Sequence, residues 1–180
     1  MLLNFNECKE RFGSAYRVDK AIREKRIFKL APGVYSETGE ESEIEIIEAQ
    51  YPKSVLSMDS AYFYYEMTDE VPEQYSLVTA NNAMRIPNPS VRQLYVPQEA
   101  LMVGATMLDY DGAKLRIYDL ERLLIETARM KNLMASDLYK EIVLWYRANL
   151  DKLDSSKIGE YAKVFPHKDR IISIIDEEIY

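Results

Sequence analysis

The sequence predicts an α+β fold, and three observations predict it. Apolar residues recur at helical spacing towards both ends of the chain. Between residues 74 and 118 the pattern changes to short runs rich in β-branched and aromatic side chains. Pro87, Pro89, Pro97 and the pair Asp111-Gly112 separate those runs. With 180 residues, 47% apolar and 29% charged, the chain suits one ordinary domain, or one plus a small appendage, and excludes disorder and collagen-like repeats.

Asn4 is a good N-cap, and Phe5, Cys8 and Phe12 share one helical face before Gly13. Ser14 caps a second helix from Ala15 to about Glu24, with Arg17, Lys20 and Arg23 lining one side. Two apolar-rich strands, 26–30 and 34–36, then flank the turn Ala31-Pro32-Gly33. Helix, turn, helix, hairpin is the order of an abbreviated winged helix-turn-helix. Its second helix would enter the major groove, leaving Lys25, Arg26 and Lys29 for phosphates. Only Met1-Leu2-Leu3 precede Asn4, where a winged helix carries another helix. Either an element such as 43–50 covers the apolar face left open, or the module is vestigial.

Residues 38–43 form a polar linker, which places a boundary between a module at 1–37 and a body at 38–180. Ile44, Ile46, Ile47 and Tyr51 make a short amphipathic helix ended by Pro52. Ser54 is expected to cap a helix running through Val55, Met58, Ala61, Tyr62 and Tyr65, whose aromatic run reads as core. Strands are expected at 75–79, 92–96, 100–107 and 114–118, in a small, mostly antiparallel sheet; the last two are joined at Asp111-Gly112. Asp119 and Ser136 then open two helices, and helical stretches at 154–164 and 168–178 complete a C-terminal bundle.

Charge is unevenly spread along the chain. The formal net charge is −7, yet residues 1–35 hold eight basic side chains against four acidic ones, and the remainder holds 15 basic against 26 acidic. A cationic segment on an acidic body suggests a nucleic-acid-binding part; a helix that is basic by chance is the alternative.

Few residues suggest catalysis. There is no phosphate-binding glycine loop, no nucleophile elbow, and no Asp…Glu-x-Lys nuclease pattern, since the only such triplet, Glu7-Cys8-Lys9, lies inside the first helix. Cys8 and His167 are the only residues of their types, which excludes an internal disulfide and a His/Cys zinc site. His167, after Phe165-Pro166, reads as a surface or capping residue. Asp109 and Asp111 could hold a divalent metal, although carboxylates beside a turn serve conformation more often. Arg122 and Arg129, close to Glu121 and Glu126, read as a solvated or ion-paired helix face. The expectation is a non-enzyme without cofactor. No apolar run approaches the length of a spanning helix, and Asn4, Glu7, Lys9 and Glu10 interrupt any leader, so a cytoplasmic protein with no membrane association is expected.

The order of segments also resembles a known family. FKLAPGVYSE at 28–37 is similar to the basic–Gly–hydrophobic–Tyr wing of the abortive-infection AbiEi antitoxins. SVLSMDSAYFYYEMTDEVPEQY at 54–75 resembles their Ser-Ala-hydrophobic-Tyr helix and the Thr/Asp-x-x-Pro turn after it. LRIYDLERLLIETAR at 115–129 looks like their strand-to-helix junction, and DLYKEIVLWYR at 137–147 with LDSSKIGEYAK at 153–163 suits their helical tail. The resemblance implies a winged-helix transcriptional regulator of a type IV toxin–antitoxin system used in phage defence. Such an antitoxin represses its own promoter through double-stranded DNA, and it counters a nucleotidyltransferase-like toxin without a stable complex. By the same resemblance Tyr16, Arg17, Lys20 and Arg23 would face DNA, Lys29 with Pro32-Gly33 would form the wing, and neutralisation would reside in 40–180. The shortened start and small surplus charge call for a homodimer or paired sites. The alternative is an interaction protein that binds no DNA and presents an acidic body rich in its 14 tyrosines to a protein partner.

Overall fold

The computed structural model describes all residues from Met1 to Tyr180 and is α+β, with eight α-helices and two sheets. It divides into two compact units: Met1–Lys53 with Asp111–Leu115, and Ser54–Tyr110 with Arg116–Tyr180.

The first unit begins with a strand that three residues are too few to signal, β1 (Leu2–Asn4). Two helices follow, α1 (Phe5–Phe12) and α2 (Ala15–Arg23), then a hairpin of β2 (Phe28–Ala31) and β3 (Val34–Ser36). β1 pairs antiparallel with β3, and β3 with β2, giving the order β1-β3-β2. Local chemistry sets the helix ends. Asn4 Oδ1 accepts from the N–H groups of Asn6 and Glu7, and Glu7 returns its carboxylate to the Asn4 N–H at 2.6 Å, closing a capping box. Gly13, at φ 91°, ends α1 in the left-handed region, and Ser14 Oγ caps α2 at Arg17 N. Leu3, Cys8, Val18, Ala21, Ile27 and Tyr35 form the core of this unit, with Phe12 and Ile22 packed against it. The unit runs past residue 37 to Lys53 because α3 (Glu43–Gln50) packs against all three strands and buries Ile44 and Ile47. A helix that covers a sheet in this way belongs to the core that it closes.

The second sheet has the order β6-β5-β4-β8-β7, comprising β4 (Val55–Leu56), β5 (Tyr75–Ala80), β6 (Val91–Val96), β7 (Ala105–Tyr110) and β8 (Ala113–Tyr118), and apart from residues 113–115 it belongs to the second unit. The expected antiparallel sheet is in fact mixed. β4 and β5 are antiparallel, whereas β4 lies parallel to β8 and β5 parallel to β6, from Tyr75↔Val91 to Ala80↔Val96. A two-residue turn forces strands antiparallel, but the loop at 81–90 is long enough to return the chain to the start of β5. Gln93 holds that loop: its Nε2 donates to Thr79 Oγ1 at 2.8 Å and to the Met84 carbonyl at 3.1 Å, and its Oε1 accepts from Ile86 N.

Two further expectations are corrected. Val55 and Leu56 form a strand rather than the start of a helix, so α4 spans Met58–Tyr64 and begins after Ser57 instead of Ser54. The strand expected at 100–107 starts only at Ala105, because Gln98–Ala100 is a 3-10 turn and Gly104 sits at φ 73°. Asp111 and Gly112, at φ 50° and 84°, make the expected primed turn.

The helices of this unit are α5 (Leu120–Met130), α6 (Ser136–Ala148), α7 (Ser155–Ala162) and α8 (Lys168–Glu178). α5 packs against α4, α7 and α8, and every residue from Glu121 to Ala128 is buried. The tyrosines satisfy much of the polar chemistry around it. Thr127 Oγ1 donates to the Leu123 carbonyl and therefore accepts from Tyr62 Oη, at 2.8 Å. Tyr146 Oη donates to the Leu120 carbonyl, Tyr118 Oη to that of Leu101, and Tyr65 Oη to that of Tyr118. Burial holds the Tyr62, Tyr65, Tyr118 and Tyr146 hydroxyls well above the usual tyrosine range, so they remain donors.

Candidate nucleic-acid interface

The sequence places its candidate residues on α2 and just after it, and the structure exposes all of them. Val18 and Ala21 turn into the core of the first unit. That leaves Arg17, Lys20 and Arg23 in solvent, with Tyr16 69% exposed at the first turn. Lys25, Arg26 and Lys29 are exposed as well.

These cations are not screened alike. Lys20 lies 3.7 Å from Glu24 and Arg26 lies 3.6 Å from the same carboxylate, whereas Arg17, Arg23, Lys25 and Lys29 form no ion pair. Both Glu24 contacts are between exposed groups, so ionic solution screens them and they hold little energy against a competing phosphate. Arg17, Lys20 and Arg26 also share an open groove of about 450 Å³ with Arg11, Phe12 and Glu24. Tyr16, Arg23, Lys25 and Lys29 do not line it. Arg11 and Phe12 are additions to the residues chosen from sequence: Arg11 is paired with Glu37, and the Arg26 guanidinium lies 5.3 Å from the centre of the Phe12 ring. The α1 helical pattern showed Phe12 as core, and only the position of Arg26 reveals its exposed edge.

α2 closes in a tight C-terminal motif. Arg26 N donates to the Ala21 carbonyl and Lys25 N to that of Ile22, which places Lys25 at φ 57° where glycine is the usual residue. Lys25→Gly is therefore expected to stabilise the first unit by about 0.5–1 kcal/mol, read as a raised midpoint in thermal unfolding. A lowered midpoint would show that the lysine side chain contributes more than its backbone strain costs. At the hairpin tip Gly33 adopts φ 78° with open space around it, and Lys29 stands on β2 below.

No group of three or more His, Cys, Asp or Glu side chains gathers in the chain. Asp111 serves the primed turn. His167 is exposed at φ 62°, and its carbonyl accepts from the N–H groups of Arg170 and Ile171 at the start of α8. Arg122 and Arg129 are ion-paired, as one of the two expected alternatives had it: both guanidiniums bind Glu126, Arg122 fully buried and Arg129 partly exposed. No helix is long and apolar enough to cross a membrane.

Comparison with known proteins gives a likeness of fold. No protein-family model matches the chain, and no curated protein matches it. The crystal structure of the RV2827C protein from Mycobacterium tuberculosis is similar, with a TM-score of 0.66 and 16% sequence identity, over 99% of this chain and 72% of that one. At that identity the likeness shows a shared fold over nearly the whole chain.

Proposed function

We propose that this chain is a DNA-binding antitoxin of the type IV class, which represses its own promoter and opposes a nucleotidyltransferase-like toxin without forming a stable complex with it. One observation carries the DNA-binding part: α2 exposes Arg17 and Arg23, both free of any carboxylate, beside a basic groove. The order β1-α1-α2-β2-β3, with β1 paired to β3, fits the β-α-α-β-β portion of a winged helix. α3, which follows the hairpin in the chain, packs on the same three strands and would serve as the third helix of the module. In this reading α2 lies in the major groove, Lys25, Arg26 and Lys29 contact phosphates, and the Pro32-Gly33 tip is the wing. The antitoxin role rests on the resemblance of residues 28–37, 54–75 and 115–129 to the AbiEi family. A homodimer on paired half-sites would give a small module adequate affinity.

The test is a mobility shift on the promoter region of the protein's own operon. Neutralising about four phosphates should weaken wild-type binding about 100-fold between about 50 and 200 mM salt. Lys20→Glu with Arg23→Glu should abolish the shift while leaving the circular dichroism spectrum unchanged, because both side chains are exposed. No shift by the wild type, or equal shifts by both proteins, would overturn the repressor reading. Recovery of a stoichiometric protein partner without any DNA shift would favour the interaction module instead. That module has fewer tyrosines to offer than composition suggests, since Tyr62, Tyr118 and Tyr146 are fully buried.

A further inference from the structure

A second cationic feature lies in the second unit, and the proposed promoter binding does not use it. The end of α5 and the start of α8 border a cavity of about 470 Å³ lined by Arg129, Lys131, His167 and Arg170, with Met130, Ile171 and Ile174 among its apolar residues. No carboxylate lines it. Glu126 is a single carboxylate shared by two guanidiniums, Arg122 Nη2 at 2.8 Å and Arg129 Nη1 at 2.6 Å. Arg122 is wholly buried, whereas the Arg129 side chain is 24% exposed and meets the cavity, so Arg129 is the cation of this group that a ligand can reach. Its guanidinium carbon lies over Phe165, 4.2 Å from the ring centre. Lys131 is tied to Glu178, whereas His167 and Arg170 form no ion pair.

Arg129, Lys131 and Arg170 line this cavity with no carboxylate among its lining residues, so their combined field favours an anion there. We propose that the cavity binds a small phosphorylated ligand of the nucleotide class, with the phosphates on Arg129, His167 and Arg170 and the base against Met130, Ile171 and Ile174. Its size falls in the usual range of ligand sites, about 300–1,000 Å³. An apolar wall beside a cationic one suits a ligand with a phosphate at one end and a flat apolar body at the other. The proposal stands independently of DNA binding by α2.

The test titrates the full-length protein by isothermal calorimetry with ATP, GTP, CTP and UTP in turn, and with inorganic phosphate. At least one nucleotide should bind with Kd of about 10–500 µM, and inorganic phosphate at least about tenfold more weakly. Arg170→Glu, at an exposed position, should weaken nucleotide binding at least about tenfold with no change in the unliganded unfolding midpoint. Arg129→Gln keeps the Arg122–Glu126 pair and removes one cation from the cavity wall, so it should weaken binding as strongly. Lys20→Glu with Arg23→Glu should leave nucleotide binding intact, so failure of the promoter reading would be visible separately. No heat from any nucleotide at about 5 mM overturns the proposal, as does phosphate binding as tightly as a nucleotide, or unchanged affinity in Arg170→Glu. A loss of duplex binding in Arg170→Glu without nucleotide binding would assign the cavity to nucleic-acid phosphates and overturn it too.

Discussion

Arg122→Ala is expected to destabilise the second unit by about 3–5 kcal/mol, the cost of breaking a buried ion pair from one side. The guanidinium donates from Nε and Nη2 to Glu126 Oε1, at 3.0 and 2.8 Å, and from Nη1 to the carbonyls of Ala100 and Val103, both at 2.6 Å. Nη2 also reaches Tyr118 Oη at 3.3 Å. Its removal leaves two carbonyls without this donor and leaves Glu126 with Arg129 alone, while the flanking rings of Tyr118 and Phe165, 4.1 and 4.7 Å from the guanidinium carbon, border a cavity. Arg122→Lys should recover only part of the loss, because an ammonium cannot span the carboxylate and both carbonyls in one plane. Urea unfolding reads the effect as a lowered midpoint at unchanged slope. A loss below about 1 kcal/mol would show that water replaces the guanidinium and that the cluster is not sealed.

Gly104→Ala acts on the same junction through the backbone and should cost about 2–4 kcal/mol, the sum of left-handed strain and overpacking. At φ 73° a side chain is strained, and the added Cβ would overlap Arg122 Cβ while approaching Asp119 Oδ1 and Tyr161 Cε2 to 3.0 Å. All three belong to the machinery that starts α5. Asp119 Oδ1 accepts from Arg122 N, Tyr161 Oη donates to Asp119 Oδ2, and Asp119 N donates to the Gly104 carbonyl at 2.7 Å. Burial raises the Asp119 carboxyl above its ordinary range, against those hydrogen bonds. Gly33→Ala is the control: φ is 78°, no atom lies within 4 Å, and strain alone should cost about 1 kcal/mol. Thermal unfolding of both variants should separate the two contributions, and equal losses would mean that the 101–104 turn yields to the methyl group. The Gly104 and Arg122 changes should not add, since each disturbs the turn that holds the other.

Both residues were visible in the sequence, and neither disclosed its role there. Gly104 was an isolated glycine inside an apparent strand, a pattern that signals a close backbone approach without saying to what. Arg122 and Glu126 have the i,i+4 spacing of an ordinary surface pair. What distinguishes them is a pair of carbonyls at residues 100 and 103, and their proximity depends on how the turn folds onto α5. The candidate interface was easier to read. Its cations sit on a short amphipathic helix whose small apolar face is satisfied locally, so exposure of Arg17, Lys20 and Arg23 followed from helical period alone. Arg11 and Phe12 escaped notice because a groove requires a second element beside the helix.

By itself the sequence determined the features in which a side chain meets backbone a few residues away. These include the Asn4, Ser14 and Asp119 caps, the Asp111-Gly112 turn, and the separation of cationic and acidic segments. Tertiary structure alone decided that β5 and β6 run parallel, that residues 2–4 complete a sheet, and that the charges of α5 are interior. Strand partners are joined by backbone groups that every residue carries, so side-chain identity cannot name a distant neighbour. A buried charge, likewise, is written with the same letters as an exposed one until the rest of the chain has closed around it.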